Sequence, residues 1–211
     1  TNWKKSKIVG KLSQDISALI RESRGLDVAK NSANSWFKNT ASSNGDKSIE
    51  SASGTFRSGK IYVFRYENPK TMDKLEWWDR NPIVLSLGTH DGKDIGINLN
   101  LIPYARKLQL LDKIYEQYLP KIERMIERGK GDASTEDGLA DFTYERLKPF
   151  LEKTGFAAAV RIYITGLRTN TKVISFSKWK KIALLDLNDI AGGDINKAYS
   201  QIGKYIKKKK E

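Results

Sequence analysis

The chemistry open to a chain is bounded by its nucleophiles, bases and metal ligands, and here that set is small. There are no cysteines and there is one histidine, His90. Without thiols there are no disulfides, thiolate zinc sites or cysteine nucleophiles. His90 lies in Thr89-His90-Asp91-Gly92-Lys93, which reads as a hairpin turn, so it reads as a surface residue. No G-x-S-x-G elbow presents a serine. Neither a Walker loop nor a G-x-G-x-x-G after a strand is present. A metal-dependent nuclease needs carboxylates and a lysine held close together. Asp91-Gly92-Lys93-Asp94 is the compact mixture of that kind, but the same residues make an ordinary Asp-Gly turn, with His90, Asp91 and Asp94 as turn-formers. Glu67, Asp73, Glu76 and Asp79 share one polar connection with Lys70, Lys74 and Arg80, so local charge balance accounts for them. No catalytic residue, metal site or cofactor is expected; the chain reads as a binder.

The positive signal is basic. The net charge is +13 over 211 residues, a statement about partners and solubility more than about fold. Lys4, Lys5 and Lys7 crowd the start, and Lys204, Lys207, Lys208, Lys209 and Lys210 crowd the end. Lys178, Lys180 and Lys181 surround Trp179. Lysines of this kind neutralise phosphates by counterion release and read no bases. They are the candidate contacts to double-stranded DNA; the bland alternative is solvated tails that keep the protein soluble.

A second candidate constellation is aromatic. Tyr66, Pro69 and Lys70 are followed by Trp77, Trp78, Asp79 and Arg80 within one connection. Adjacent tryptophans point in different directions, so one pins the connection to the body and the other is free for a partner. Asp79 and Arg80 are expected to fix it by hydrogen bonds.

The elements that position these groups follow from periodicity. Ile8, Leu12, Ile16, Leu19 and Ile20 predict a helix that stops at Ser23–Gly25, and Asp27 caps a second with a stripe of Val28, Ala33, Trp36 and Phe37. Residues 41–57 are polar and small, a linker or mobile loop. Period-two alternation over 61–66, 83–88 and 94–101 predicts an antiparallel meander with one buried face. Pro103 opens a helix with a stripe of Ala105, Leu108, Leu111, Ile114, Tyr115 and Tyr118, which Pro120 should kink or restart. A further helix is expected from about Thr135 to Lys153, with Ser134 and Asp137 as a capping pair. Strands at Val160–Ile164 and Val173–Phe176, a short helix with Trp179, and an amphipathic helix from Asp194 complete the chain.

The fold class is α+β: a small antiparallel β-barrel or curled sheet of about five strands, for which SH3-like is one form, with a helical insertion and terminal helices. The divisions are a helical segment and flexible loop over 1–57, a β core over 58–193 carrying the insertion at about 103–153, and a basic helix over 194–211. No apolar run approaches the ~18 residues of a membrane span, and the first residues lead into no signal-peptide core, so neither membrane nor secretion is expected.

In this order the chain resembles tailed-phage DNA end protectors, head-completion proteins of large contractile-tailed phages. The resemblance runs through Trp36-Phe37, Gly59, the strand Ile61 to Tyr66, Pro69-Lys70-Thr71, and Leu75-Glu76-Trp77-Trp78-Asp79 before Pro82-Ile83. It continues in Gly96-Ile97-Asn98 to Pro103, Arg106, Leu110-Leu111-Asp112, Tyr163, Val173-Ile174 and Trp179. Glu76 stands where the family has proline, and Asn100 where histidine is expected. The resemblance implies a virion protein, assembled in the host cytoplasm, that sits on the genome end near the portal and shields it from exonucleases. The alternative for the same shape is a structural neck or adaptor, a ring or plug at the head–tail junction. The implied partners are double-stranded DNA, portal or other head–tail proteins, and copies of itself in a ring.

Overall fold

The computed structural model describes residues 11–42, 49–66, 78–127, 142–185 and 190–191. Helix α1 (Lys11–Glu22) buries Leu12 and Ile16 and ends where Arg24 and Gly25 take positive φ, 61° and 144°. Helix α2 (Leu26–Ser42) follows at once, with Asp27 in its first turn, where a carboxylate favours the helix dipole. Its buried stripe is Ala29, Ala33 and Phe37, whereas Val28 is 54 % exposed. The expected stripe is therefore corrected by one residue: a step of i, i+4, i+8 from Ala29 turns Val28 about 100° away from the core.

Six antiparallel strands form the main sheet, ordered β1-β7-β2-β4-β5-β6. They are β1 (Ile49–Ser51), β2 (Ile61–Tyr66), β4 (Ile83–His90), β5 (Lys93–Asn98), β6 (Val160–Tyr163) and β7 (Arg168–Ile174). A two-residue ribbon joins β3 (Trp78–Asp79) to β8 (Ile190–Ala191). The predicted meander is β2-β4-β5. The sheet does not close, so it is the curled form and not a barrel, with β1 and β6 as its edges. The segment expected as a loop over 41–57 contributes β1, paired Ile49 to Ile174, and buries Phe56.

The expectation of one buried face is overturned, because Ile61, Tyr62, Val63 and Phe64 are all buried. Ile61, Val63, Ile83, Leu85, Ile97 and Ile174 pack with the helices. Tyr62, Phe64, Val84, Val173, Tyr163 and Phe56 form a separate cluster on the other face. Curling brings Tyr163 of the edge strand against Phe64 and Tyr66 of β2, with ring centroids 5.1 and 5.5 Å apart. The third run also ends early. Strand β5 stops at Asn98, whose side chain accepts the Asn100 N–H at 3.0 Å and folds Leu99–Leu101 into a 3-10 turn.

Helix α3 (Tyr104–Glu127) passes through Pro120 as one element, so the helix does not restart there. Proline removes a single N–H. Glu116 and Pro120 are exposed, so the freed carbonyl faces solvent. The buried side of α3 is Lys107, Leu110, Leu111 and Ile114; Ala105 is exposed, correcting its place in the stripe. Helix α4 (Tyr144–Thr154) starts later than expected because Phe142, fully buried, and Thr143, extended at φ −104° and ψ 156°, precede it. The Ser134–Asp137 pair lies outside the described residues. Phe176, expected at the end of a strand, lies beyond β7 in a 3-10 turn that leads into helix α5 (Trp179–Leu184). The basic helix from Asp194 also falls outside the described residues. Among those described, no helix is long and apolar enough to cross a membrane.

Candidate nucleic-acid interface and buried polar sites

The acidic mixture at the β4–β5 hairpin separates into two unrelated parts. Asp91 and Gly92 are its two turn residues, both at positive φ, 50° and 72°, as a primed two-residue hairpin requires. His90 is exposed, with Nδ1 3.4 Å from Glu145 and Nε2 3.6 Å from Asp91. Asp94 is not a turn-former, which corrects the sequence expectation. It faces the inside of the curl with 0 % exposure. Its Oδ1 accepts the Phe56 N–H at 2.6 Å, and its Oδ2 accepts the Thr165 hydroxyl at 2.7 Å and an Arg168 N–H at 2.8 Å. The Arg168 guanidinium lies 4.3 Å over the Phe56 ring and donates to the Gly54 carbonyl at 2.6 Å. Burial holds Arg168 below its ordinary pKa, and the Asp94 carboxylate opposes that shift. The acceptors of Asp94 are thus committed to structure. Among the described residues, no group of three or more histidine and acidic side chains is placed to hold a metal ion.

The second buried polar site starts at Asp79. Its Oδ1 accepts the Asn81 N–H at 3.0 Å, and its Oδ2 accepts the Asn100 and Asn98 amides at 2.6 and 3.3 Å. Asn100 also donates to the Asn81 carbonyl at 3.2 Å, and Tyr66 N–H donates to the Arg80 carbonyl at 2.8 Å. These bonds tie the chain after β3 to both β2 and the end of β5. Asn100 is thus a donor to this carboxylate. Burial, and then the charge of Asp79, push the Tyr163 hydroxyl far above the ordinary tyrosine pKa. Substituting Asp79→Ala strands buried amide donors and should cost about 1–3 kcal/mol, read as a lower urea midpoint at unchanged m.

Of the aromatic constellation, Tyr66 is half-buried and edge-on to Phe64 at 6.1 Å, and Arg80 is exposed. Trp78 is described by its backbone pairing with Ala191. Pro69, Lys70 and Trp77 lie outside the described residues, as do Lys4, Lys5, Lys7, Lys204 and Lys207 to Lys210. Lys178 is half-buried, Lys180 is exposed, and Lys181 lies 5.0 Å over the Trp36 ring. Strand register keeps the two constellations apart. Ile61 and Ile174 pair at the end of β2 nearest α5, and Tyr66 and Arg168 at the other, a strand length of roughly 17–20 Å.

Two features escaped sequence reasoning. Arg168 showed no local signal, although alternation on β5 places Asp94, Gly96 and Asn98 on one face, a polar and small stripe inside a strand. Lys107 is buried in α3, and its Nζ donates to the Leu185 carbonyl at the end of α5.

These observations define a class: a basic α+β protein with a curled antiparallel sheet on a helical layer, whose buried charges among the described residues are spent on structure. The chain belongs to the family described as Phage T4 terminal DNA protecting protein, which residues 2–129 match. The match takes in α1 to α3 and β1 to β5; β6, β7 and α5 follow it. No curated protein and no solved structure matches the chain.

Proposed function

We propose that this protein is a virion component that binds the end of the packaged phage duplex near the portal, shields it from exonucleases and completes the head. Membership of the DNA-protecting family carries the reading. The net charge of +13 supports it, since a cationic body is drawn to a polyanion without base reading. Protection needs occupancy only. A bound protein denies the terminus to an exonuclease, so no bond is broken by the protector. Head–tail proteins lining the DNA channel, or further copies in a ring, are its proposed protein partners.

The test is digestion of linear duplex by an added exonuclease. The protein should slow digestion in proportion to its occupancy, lose that effect as salt rises, and cleave nothing itself when magnesium is present. Equal binding to linear and covalently closed duplex would favour a neck or adaptor role without end recognition. The terminal lysines are proposed to touch phosphates in the same assay. Deleting 207–211 should reduce the slope of log K against log salt by up to about 0.9 for each phosphate that the deletion leaves without its lysine. An unchanged slope would show that Lys207 to Lys210 serve solubility alone.

A further inference from the structure

Resting on the DNA-binding reading above, we infer that the main phosphate-binding surface is a rigid ridge on the folded body. Lys178 and Lys180 at the β7–α5 corner form it, and Lys172 and Arg65 continue it onto the β7–β2 pair. The first ground is where the charge sits. The described residues hold 24 lysines and arginines against 13 aspartates and glutamates, a net of +11, which exceeds the +7 that residues 1–10 and 192–211 carry together with nine basic and two acidic residues. Within the former, residues 156–185 contain six basic residues and no acidic one, and residues 52–66 contain three and none. Strands β2 and β7 are hydrogen-bonded neighbours, so the two acid-free stretches coincide in space.

Three of those nine cations are taken up inside. Arg168 holds Asp94, Arg161 donates to the Ala158 and Val160 carbonyls, and Lys60 is buried. Lys172, Lys178 and Lys181 are half-buried, whereas Arg57, Arg65 and Lys180 are exposed. Register sorts them further. Lys172 pairs with Val63, and the irregularity between Val63 and Arg65 adds its extra residue on β7, where Asn170 has φ 52°. Strand β2 is therefore regular, and Arg65 shares a face with Val63 and hence with Lys172.

The second ground is rigidity. Trp179 is buried, and the Phe176 ring packs 4.9 Å from it and stacks on Tyr115 at 4.4 Å. Lys178 N–H donates to the Ser175 carbonyl at 3.0 Å. Ile182, Ala183 and Leu184 are buried, and Lys181 lies over Trp36 of α2. The corner is thereby pinned to α2 and α3. Cations carried on a backbone already held by packing bind with less loss of freedom than they would if binding had to order that backbone.

The experiment titrates salt against binding of the full chain to a labelled blunt duplex, followed by anisotropy. Lys178→Gln with Lys180→Gln should lower the slope by about 1.8 and weaken binding roughly 60-fold at 0.1 M salt, from about 0.9 per phosphate neutralised. Arg65→Gln with Lys172→Gln reads the same surface independently and should also lower the slope. Lys93→Gln with Lys148→Gln removes equal charge from the β4–β5 turn and α4, and should leave the slope near wild type. An unchanged slope in K178Q/K180Q, or an equal fall in K93Q/K148Q, overturns the ridge while the DNA reading stands. Wild-type protein that binds no duplex overturns the DNA reading and the ridge together.

Discussion

Substituting Asp94→Asn is expected to destabilise the protein by about 3–5 kcal/mol, the cost of leaving a buried charge without its partner. The carboxylate is fully buried and accepts from three donors that come from three separate parts of the chain: Phe56, Thr165 and Arg168. An amide of the same size presents one oxygen and one NH2 group. Whichever way it turns, its NH2 meets at least one N–H or O–H donor. Arg168 meanwhile cannot shed its proton and cannot reach water, since its side chain is only 3 % exposed and lies over Phe56. In a chain of this size each kcal/mol lowers Tm by about 2–4 °C, so a fall of about 6–20 °C should appear by calorimetry. Adding Arg168→Met to Asp94→Asn should recover part of the loss, because it removes the stranded charge. The surface contrast is His90→Ala, whose exposed contacts to Asp91 and Glu145 should be worth no more than about 0.5 kcal/mol. A Tm change for Asp94→Asn as small as that of His90→Ala would refute the account. Any search for nuclease activity at this hairpin should use Asp91→Asn, since loss of a signal in Asp94→Asn would report unfolding.

The second large effect is at the β7–α5 corner. Trp179→Ala should cost about 3–5 kcal/mol, as truncation of a buried indole does. Six residues of helix are far below the ~12–15 that hold together alone, so α5 exists because Trp179, Ile182, Ala183 and Leu184 are buried. Removing the indole also deprives Phe176 of one of its two ring partners. The variant should therefore lose both urea resistance and part of the salt slope of DNA binding, although no charge has changed. Trp179→Phe should restore stability and slope together. A destabilised Trp179→Ala with a wild-type slope, measured below its melting temperature, would place the DNA contacts elsewhere.

Local chemistry carried the parts of this fold that were legible from residues alone. Asp91-Gly92 announced a two-residue turn because few residue pairs accept positive φ twice. The runs over 61–66, 83–88 and 94–101 announced neighbouring antiparallel strands because period-two alternation and short connections suffice for that, although the third strand ends at Asn98. The family resemblance was also legible, being a matter of residue order. What alternation does not reveal is the covering of each face. Tyr62 and Phe64 alternate with Ile61 and Val63, and both sets are apolar, so the pattern shows which residues share a face and not that the sheet curls over Phe56 and Tyr163. The α2 stripe slipped by one residue for a related reason: Val28 and Ala29 are adjacent and both apolar, and the packing of the helix against its neighbours chose Ala29.

The buried charges mark the boundary most sharply. Composition established that the protein is basic, has no thiol and has one histidine, and hence which chemistries it lacks. Whether a given charge serves a partner or the core depends on what lies opposite it. Asp94 and Arg168 meet only because β5 and the start of β7 approach across the inside of the curl, and Lys107 meets the Leu185 carbonyl only because α5 docks on α3. Such pairings are fixed by desolvation, a property of the assembled surroundings: the same aspartate is a solvated turn residue at 91 and the acceptor of three buried bonds at 94.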